Sequence, residues 1–187
     1  MIVLASGSPR RKEILSKFGY KFSVEKSNFN ECEEKSDALS VAIKNAKGKA
    51  SDVYSRLTSK NKSDCVVIGA DTVVYLDGVI LGKPKDRLDA INTLKKLSGR
   101  VHKVITGFCV LSEKAHIIGF DETTVCFNNL TDKLIIEYVD CCKPFDKAGS
   151  YGVQDGFLLV KAINGSLYNV IGFPIEKIKP VLDGICL

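Results

Sequence analysis

Apolar residues recur along this chain with two spacings, and the switching between them predicts strands interleaved with helices. An apolar strand covers Ile2 to Ala5, and a Ser-Gly-Ser turn leads into a helix that starts at Pro9. Ser8 suits the N-cap, Ile14, Leu15 and Phe18 form the apolar stripe, and Gly19 falls just past the end. A short strand is predicted around Lys21–Val24. Helical spacing then runs over 36–57, with Leu39, Ala42, Ile43, Ala46, Ala50 and Val53 on one side. The lysine- and serine-rich stretch 58–64 reads as a loop.

The next run, CVVIGADTVVYL, is apolar throughout except for Asp71 in its middle, and Asp77-Gly78 signals a hairpin into VIL. A helix is predicted over 86–98, with Leu88, Ile91, Leu94 and Leu97 on one face, and two hairpin-linked strands over about 102–112 and 116–128. Thr131 is placed to cap a helix reaching about Cys142, and Asn164-Gly165 reads as a turn joining two strands, LLVKAI and SLYNVI. A last helix follows Pro174. Strands and helices in this order predict an α/β protein with a mixed sheet, and one domain over residues 1–187 with two lobes around a cleft is compatible with it.

Composition adds little to that outline but excludes several classes. Hydrophobic residues at 45% and charged residues at 26% are ordinary for a globular domain, and 187 residues can bury a core without disulfides or structural metal. The net charge of +5 is compatible with an anionic ligand and equally with a mildly basic solvated surface. No arginine-rich tail or aromatic-interleaved basic stretch points to a nucleic-acid partner. No run approaches the roughly 20 apolar residues a membrane helix needs, and MIVLASGSPRR lacks the basic start of a signal peptide. The seven cysteines are odd in number and lack C-x-x-C spacing, which predicts free thiols in a reducing, cytoplasmic setting.

Four strings carry candidate chemistry. In SGSPRRK, Ser6–Lys12, cations crowd the first turn of a helix whose N-terminus already carries partial positive charge. A bound anion would reverse that penalty, with Gly7 allowing close backbone approach and Ser6 and Ser8 adding donors. A solvated turn with its basic side chains pointing away is the other reading. In GADT, Asp71 is a carboxylate inside an apolar run, which is costly unless paired, hydrogen-bonded or metal-bound. In GKP, Lys83 can reach back toward the Asp71 strand, or the string is only a turn. In DKAGSYGVQ, Tyr151 offers stacking and Gln154 a paired donor and acceptor, although a plain loop also fits. His102 and His116 lie outside these strings and read as structural or surface residues. No P-loop, zinc-protease or serine-hydrolase signature is present.

Together and in this order, ASGSPRR, GADT, GKP and DKAGSYGVQ resemble the Maf family of nucleotide pyrophosphatases. Weaker matches are LSGRVHKVITG at 97–107 and NVIGFP at 169–174. The resemblance implies a mixed α/β fold with an elongated, curved sheet, a nucleoside triphosphate substrate in a cleft between two lobes, and a homodimer. It implies metal-dependent hydrolysis between the α- and β-phosphates. By position, the family's catalytic aspartate falls on Asp71, its second acid on Glu31, its helix lysine on Lys49 and its K-P lysine on Lys83. The phosphate-binding helix start falls on Ser6, Gly7, Ser8 and Arg11. Glu31 and Asp71 would hold the divalent cation, Mg²⁺ or Mn²⁺, since oxygen ligands suit both.

The chain departs from the family pattern at three places. Asn30 precedes Glu31 where an acid is common, Gly48 interrupts the helix around Lys49 and leaves Lys44 and Lys47 as rivals, and DGF follows Gln154 where a second glycine is usual. Substrate preference in the family tracks positions occupied here by Arg10, Thr72 and Gln154. That combination resembles the group acting on dTTP and UTP, whereas the 7-methyl-GTP group carries an aromatic, a glutamine and a glutamate. A glutamine amide can both donate and accept, matching the O–NH–O edge of thymine or uracil. A non-catalytic nucleotide-binding regulator and a pyrophosphatase for non-standard purine nucleotides are the competing readings.

Overall fold

The computed structural model describes residues 1–32, 37–57 and 65–186; the expected loop at 58–64 lies outside them. Strands β1 (Ile2–Leu4), β2 (Phe22–Val24), β3 (Val66–Leu76), β4 (Val79–Leu81), β5 (Val101–Leu111), β6 (His116–Phe127) and β7 (Val160–Asn164) form one sheet. Its order is β2-β1-β3-β5-β6-β7, with β4 paired to the far end of β3. β1 runs parallel to both β2 and β3, and every other pairing is antiparallel. The mixed sheet predicted from the chain is the one observed.

Helix α1 (Pro9–Lys17) follows β1, and α2 (Ala38–Arg56) precedes β3. Helices α3 (Arg87–Leu97) and α4 (Asp132–Cys142) pack beside one another, and α5 (Leu167–Ile171) and α6 (Ile175–Cys186) end the chain. Ser8 stands at the expected N-cap of α1 without a side-chain capping bond, Thr131 caps as expected, and Asp37 and Asp86 are further caps. Asp37, Asp86 and Thr131 each accept a hydrogen bond from the backbone N–H three residues on, at 2.8–3.2 Å. Among the described residues, no helix is long and apolar enough to cross a membrane.

One expected strand is a helix. SLYNVI does not return from Asn164-Gly165 as a hairpin partner; it forms α5. The five residues LYNVI fit either period, and the Ser166 cap together with the buried Asn169 amide decides. Ser166 Oγ accepts the Asn169 N–H at 3.1 Å, and the buried Asn169 amide then donates to Val104 O and Thr123 Oγ1. As a strand, the same residues would leave that amide without these partners.

Of the four apolar clusters among the described residues, two share one face of β3. Leu4, Leu15, Ile68, Phe173 and Ile178 gather around its first half. Val74, Leu94, Val104, Phe127 and Tyr138 gather around its second half. Asp71 lies on the opposite, α2-facing side of β3, between Val67 of a third cluster and Val73 of a fourth. Helix α2 crosses the sheet at this point in backbone contact. A Cβ on Gly69 would lie 2.2 Å from Ala46 O, and one on Gly107, the cross-strand partner of Asp71, 2.5 Å from Ala42 O. Only glycine allows so close an approach, and it brings Asn45 and Lys49, one helical turn apart, over Asp71.

Candidate functional site

A cleft of about 570 Å³ opens at the carboxyl end of β1 and the middle of β3. It is lined by Ser6, Gly7, Ser8, Arg10, Arg11, Glu31, Lys49, Asp71, Thr72, Lys83 and Gln154, so every candidate residue from the sequence meets in one place. Its volume suits a nucleotide-sized ligand.

The floor is a bridged set of opposite charges. Asp71 is only 7% exposed, and its Oδ1 accepts from Lys49 Nζ at 2.6 Å. The same ammonium lies 2.7 Å from Glu31 Oε1, while Lys83 Nζ lies 3.4 Å from Glu31 Oε2. Burial pushes the Glu31 carboxyl up, but the hydrogen bond and charge of Lys49, with Lys83 behind them, outweigh it and leave the group below the usual carboxylate range. Glu31 is therefore ionised at neutral pH.

The question raised by Gly48 is settled by Phe29. A Cβ at Gly48 would lie 2.4 Å from the Phe29 ring, so the glycine admits that ring against α2 instead of breaking the helix. Lys49 then faces the acids, while Lys44 and Lys47 are exposed.

The two neighbouring arginines part company. Arg11 turns inward and spends its donors on the fold: Nε donates to Gly172 O at 2.8 Å, Nη1 to Ala70 O at 2.7 Å and Ser6 Oγ at 3.2 Å, and Nη2 to Thr72 Oγ1 at 3.3 Å. Burial pushes its pKa down, with Asp71 acting against the shift. Arg10 instead points along the cleft and pairs with Asp146 Oδ2 at 2.8 Å. The Ser8 side chain makes no capping bond, so the start of α1 presents its N–H groups to the cleft. Thr72 is fastened to the wall by a 3.0 Å contact with Thr106 Oγ1.

The far rim is the loop 146–155. It is tied to the GKP turn by the Gly149 N–H, which donates to Gly82 O at 3.1 Å. Asp155, where the family usually has glycine, accepts from Tyr138 Oη at 2.7 Å, and the Gly152 N–H donates to the same Tyr138 oxygen at 2.9 Å. The departure thus anchors the loop. Tyr151, read from the sequence as a stacking residue, reaches the cleft wall with only 6% of its surface exposed. It is buried, packs edge-on against Phe127 and His102 at 4.8 and 5.5 Å, and contacts His102 Nε2 through its hydroxyl at 2.8 Å. Gln154 is exposed at the cleft, and no hydrogen bond to its amide occurs among the described residues.

Sequence reasoning missed Asn45, Lys26, Asp146 and Lys147. Asn45 donates to Asp71 Oδ2 at 3.0 Å; its signal was a polar residue one turn before Lys49 on the alanine-rich face of α2. Asp146 and Lys147 open a string already singled out. Lys26 lines the cleft beside Gly7 and carried no signal.

A family model described as Maf-like protein matches residues 1–185. The chain belongs to this family. The dTTP/UTP pyrophosphatase of Pyrococcus furiosus is 48% identical over 184 residues, covering 97% of this chain and 94% of that protein. The dTTP/UTP pyrophosphatase of Thermococcus onnurineus is 47% identical over 177 residues, covering 94% and 93%. A human protein named probable bifunctional dTTP/UTP pyrophosphatase/methyltransferase is 44% identical over 94% of this chain, which spans 30% of its length. In this Maf-like chain, Cys32, Cys65, Cys109, Cys126, Cys141 and Cys142 are free thiols; the Cys186 side chain lies outside the described residues.

Proposed function

We infer that this Maf-like chain is a pyrophosphatase that hydrolyses dTTP and UTP to the monophosphate and pyrophosphate. The observation that carries the chemistry is the buried Asp71, bridged by Lys49 to Glu31, in a cleft that also contains the open start of α1. The substrate class rests on the likeness to the dTTP/UTP pyrophosphatases, which runs through nearly the whole chain.

In this reading the phosphates lie between the α1 N–H groups, with Ser6, Gly7 and Ser8, and the ammonium groups of Lys49 and Lys83. Arg11 adds charge and holds the pocket wall, since four of its five N–H donors are already engaged. A water attacks the α-phosphorus, the bond from that phosphorus to the bridging oxygen breaks, and pyrophosphate leaves. Asp71 accepts the proton of the attacking water.

Glu31 and Asp71 would hold a divalent cation. Their oxygens already meet around one ammonium, a hard all-oxygen donor pair that Mg²⁺ or Mn²⁺ accepts, with phosphate and water oxygens completing the shell. Such an ion supplies charge neutralisation and a more acidic water. At the base end, Gln154 reads the pyrimidine edge, with Arg10 and Thr72 shaping its surroundings.

A homodimer belongs to the same reading. Residues 116–123 of β6 pair only with β5 among the described strands and carry the exposed Ile117, Ile118 and Phe120. Buried free thiols such as Cys65 and Cys109 support a cytoplasmic setting.

The test is a nucleoside triphosphate panel with Mg²⁺ or Mn²⁺, reading monophosphate and pyrophosphate. dTTP and UTP should lead, CTP and ATP should trail, and excess chelator should abolish turnover. A 7-methyl-GTP or deaminated purine triphosphate that outperforms both pyrimidines would overturn the substrate assignment.

A further inference from the structure

Asn45 is 2% exposed, and its amide is committed on both sides. Cys32 N–H can only donate, so it fixes Asn45 Oδ1 toward itself, at 2.7 Å. The Nδ2 group must then face Asp71, where it donates to Oδ2 at 3.0 Å; a longer contact of 3.4 Å reaches Cys32 O. Lys49 holds the other Asp71 oxygen from the next turn of the same helix. Both oxygens of Asp71 are therefore gripped from α2, and the plane of the carboxylate is set by two donors on one rigid element.

Cys32 follows Glu31 directly. By clamping its backbone, the same amide also sets the distance between the segment carrying Glu31 and the strand carrying Asp71. Neither acid reaches the other without this link or Lys49. Lys49 lies where an anionic ligand would compete for its charge, whereas Asn45 is neutral and has no such competitor.

We propose that Asn45 is a positioning residue of the reaction, orienting Asp71 and spacing Glu31 from it through one buried amide. The proposal rests on the pyrophosphatase reading above. It assigns Asn45 no contact with substrate, so its loss should act on turnover and leave nucleotide binding in place.

Two substitutions separate this role from simpler ones. Asn45→Leu keeps the branched shape and removes both links. Asn45→Asp keeps the shape and the acceptor for Cys32 N–H but replaces the donor to Asp71 by a second carboxylate. With dTTP, both variants should lose roughly ten- to hundredfold in kcat, the scale of a hydrogen bond to a charged group, while KM changes less than about threefold. Wild-type kcat in Asn45→Leu would mean that Asn45 only fills space, and wild-type kcat in Asn45→Asp would mean that only the Cys32 clamp matters; either overturns the proposal. A parallel rise in KM would overturn it as well.

A measurement independent of turnover guards against poor folding or a wrong substrate. In Asn45→Asp/Asp71→Asn the donor and acceptor exchange places, so melting temperature lost in Asn45→Asp should be partly recovered. Additive changes across this cycle would show that the two side chains do not interact and would overturn the proposal. A wild-type protein inactive on dTTP and UTP, with coupling intact in the cycle, would instead refute the pyrophosphatase reading.

Discussion

The two ends of the cleft are built differently. At the acid end, Asn45 and Lys49 on a long helix hold Asp71 on a central strand, and Glu31 is tied to them from the irregular segment after β2. At the other end, Arg10, Asp146, Lys147 and Gln154 sit around a loop, and Gln154 is exposed. Proton transfer and phosphate neutralisation need atoms fixed to a fraction of an ångström, which rigid elements provide. Base selection needs a replaceable contact surface, which a loop provides at less cost to the fold. The loop is nonetheless supported from beneath by Tyr138, Asp155 and the His102–Tyr151 pair. Selectivity can thus vary there without disturbing the acids.

The strongest challenge to this division is Asp71→Asn. It should keep the fold and lower kcat on dTTP by about two decades or more, the usual scale for a general base. Near wild-type turnover would place the chemistry elsewhere.

The support under the base end is tested by pH. Burial pushes the His102 imidazole down to about 4. Unfolding releases it to its ordinary value near 6.5, so between these values the unfolded chain binds more protons. Stability contributed by neutral His102 is therefore fully present above pH 6.5 and is lost as pH falls toward 4, by at most about 3 kcal/mol. Denaturant midpoints measured across that window should show the slope, and His102→Phe should flatten it.

Gly69→Ala sharpens the acid end. The added methyl meets Ala46 O, so α2 must move off the sheet and carry Asn45 and Lys49 with it. Stability should fall by about 1–3 kcal/mol, measured by urea unfolding, with a loss of kcat alongside. Unchanged activity in a folded Gly69→Ala protein would mean that the helix-to-strand distance does not govern the site.

The smallest effect is expected at the rim. Gln154→Glu should lower kcat/KM for dTTP and UTP by about tenfold, since an ionised carboxylate cannot donate to the base, while inhibition by pyrophosphate stays as in the parent. A loss of pyrophosphate inhibition would place Gln154 among the phosphate contacts.

Much of this protein was legible in one dimension. The cap at Thr131, the Asp77-Gly78 hairpin and the alternation of strand and helix periods are local, and each depends on chemistry within a few residues. Asp71 drew attention because a carboxylate in an apolar strand needs a partner. SLYNVI was misread because five residues fit both periods, and the deciding bonds come from Val104 and Thr123, far away in the chain.

What the sequence determined by itself is therefore the set of elements and the residues that must be explained. What only the tertiary structure decided is which of those residues share work. It separated Arg10 from Arg11, chose Lys49 over Lys44 and Lys47, moved Tyr151 from ligand surface to core, and brought Asn45 onto Asp71. Each of these depends on contacts between segments that are remote in sequence, and the placement of Lys49 and Asn45 depends further on how closely α2 approaches the sheet at Gly69 and Gly107. Local propensity carries no information about such distances, because they arise from the packing of whole elements against one another.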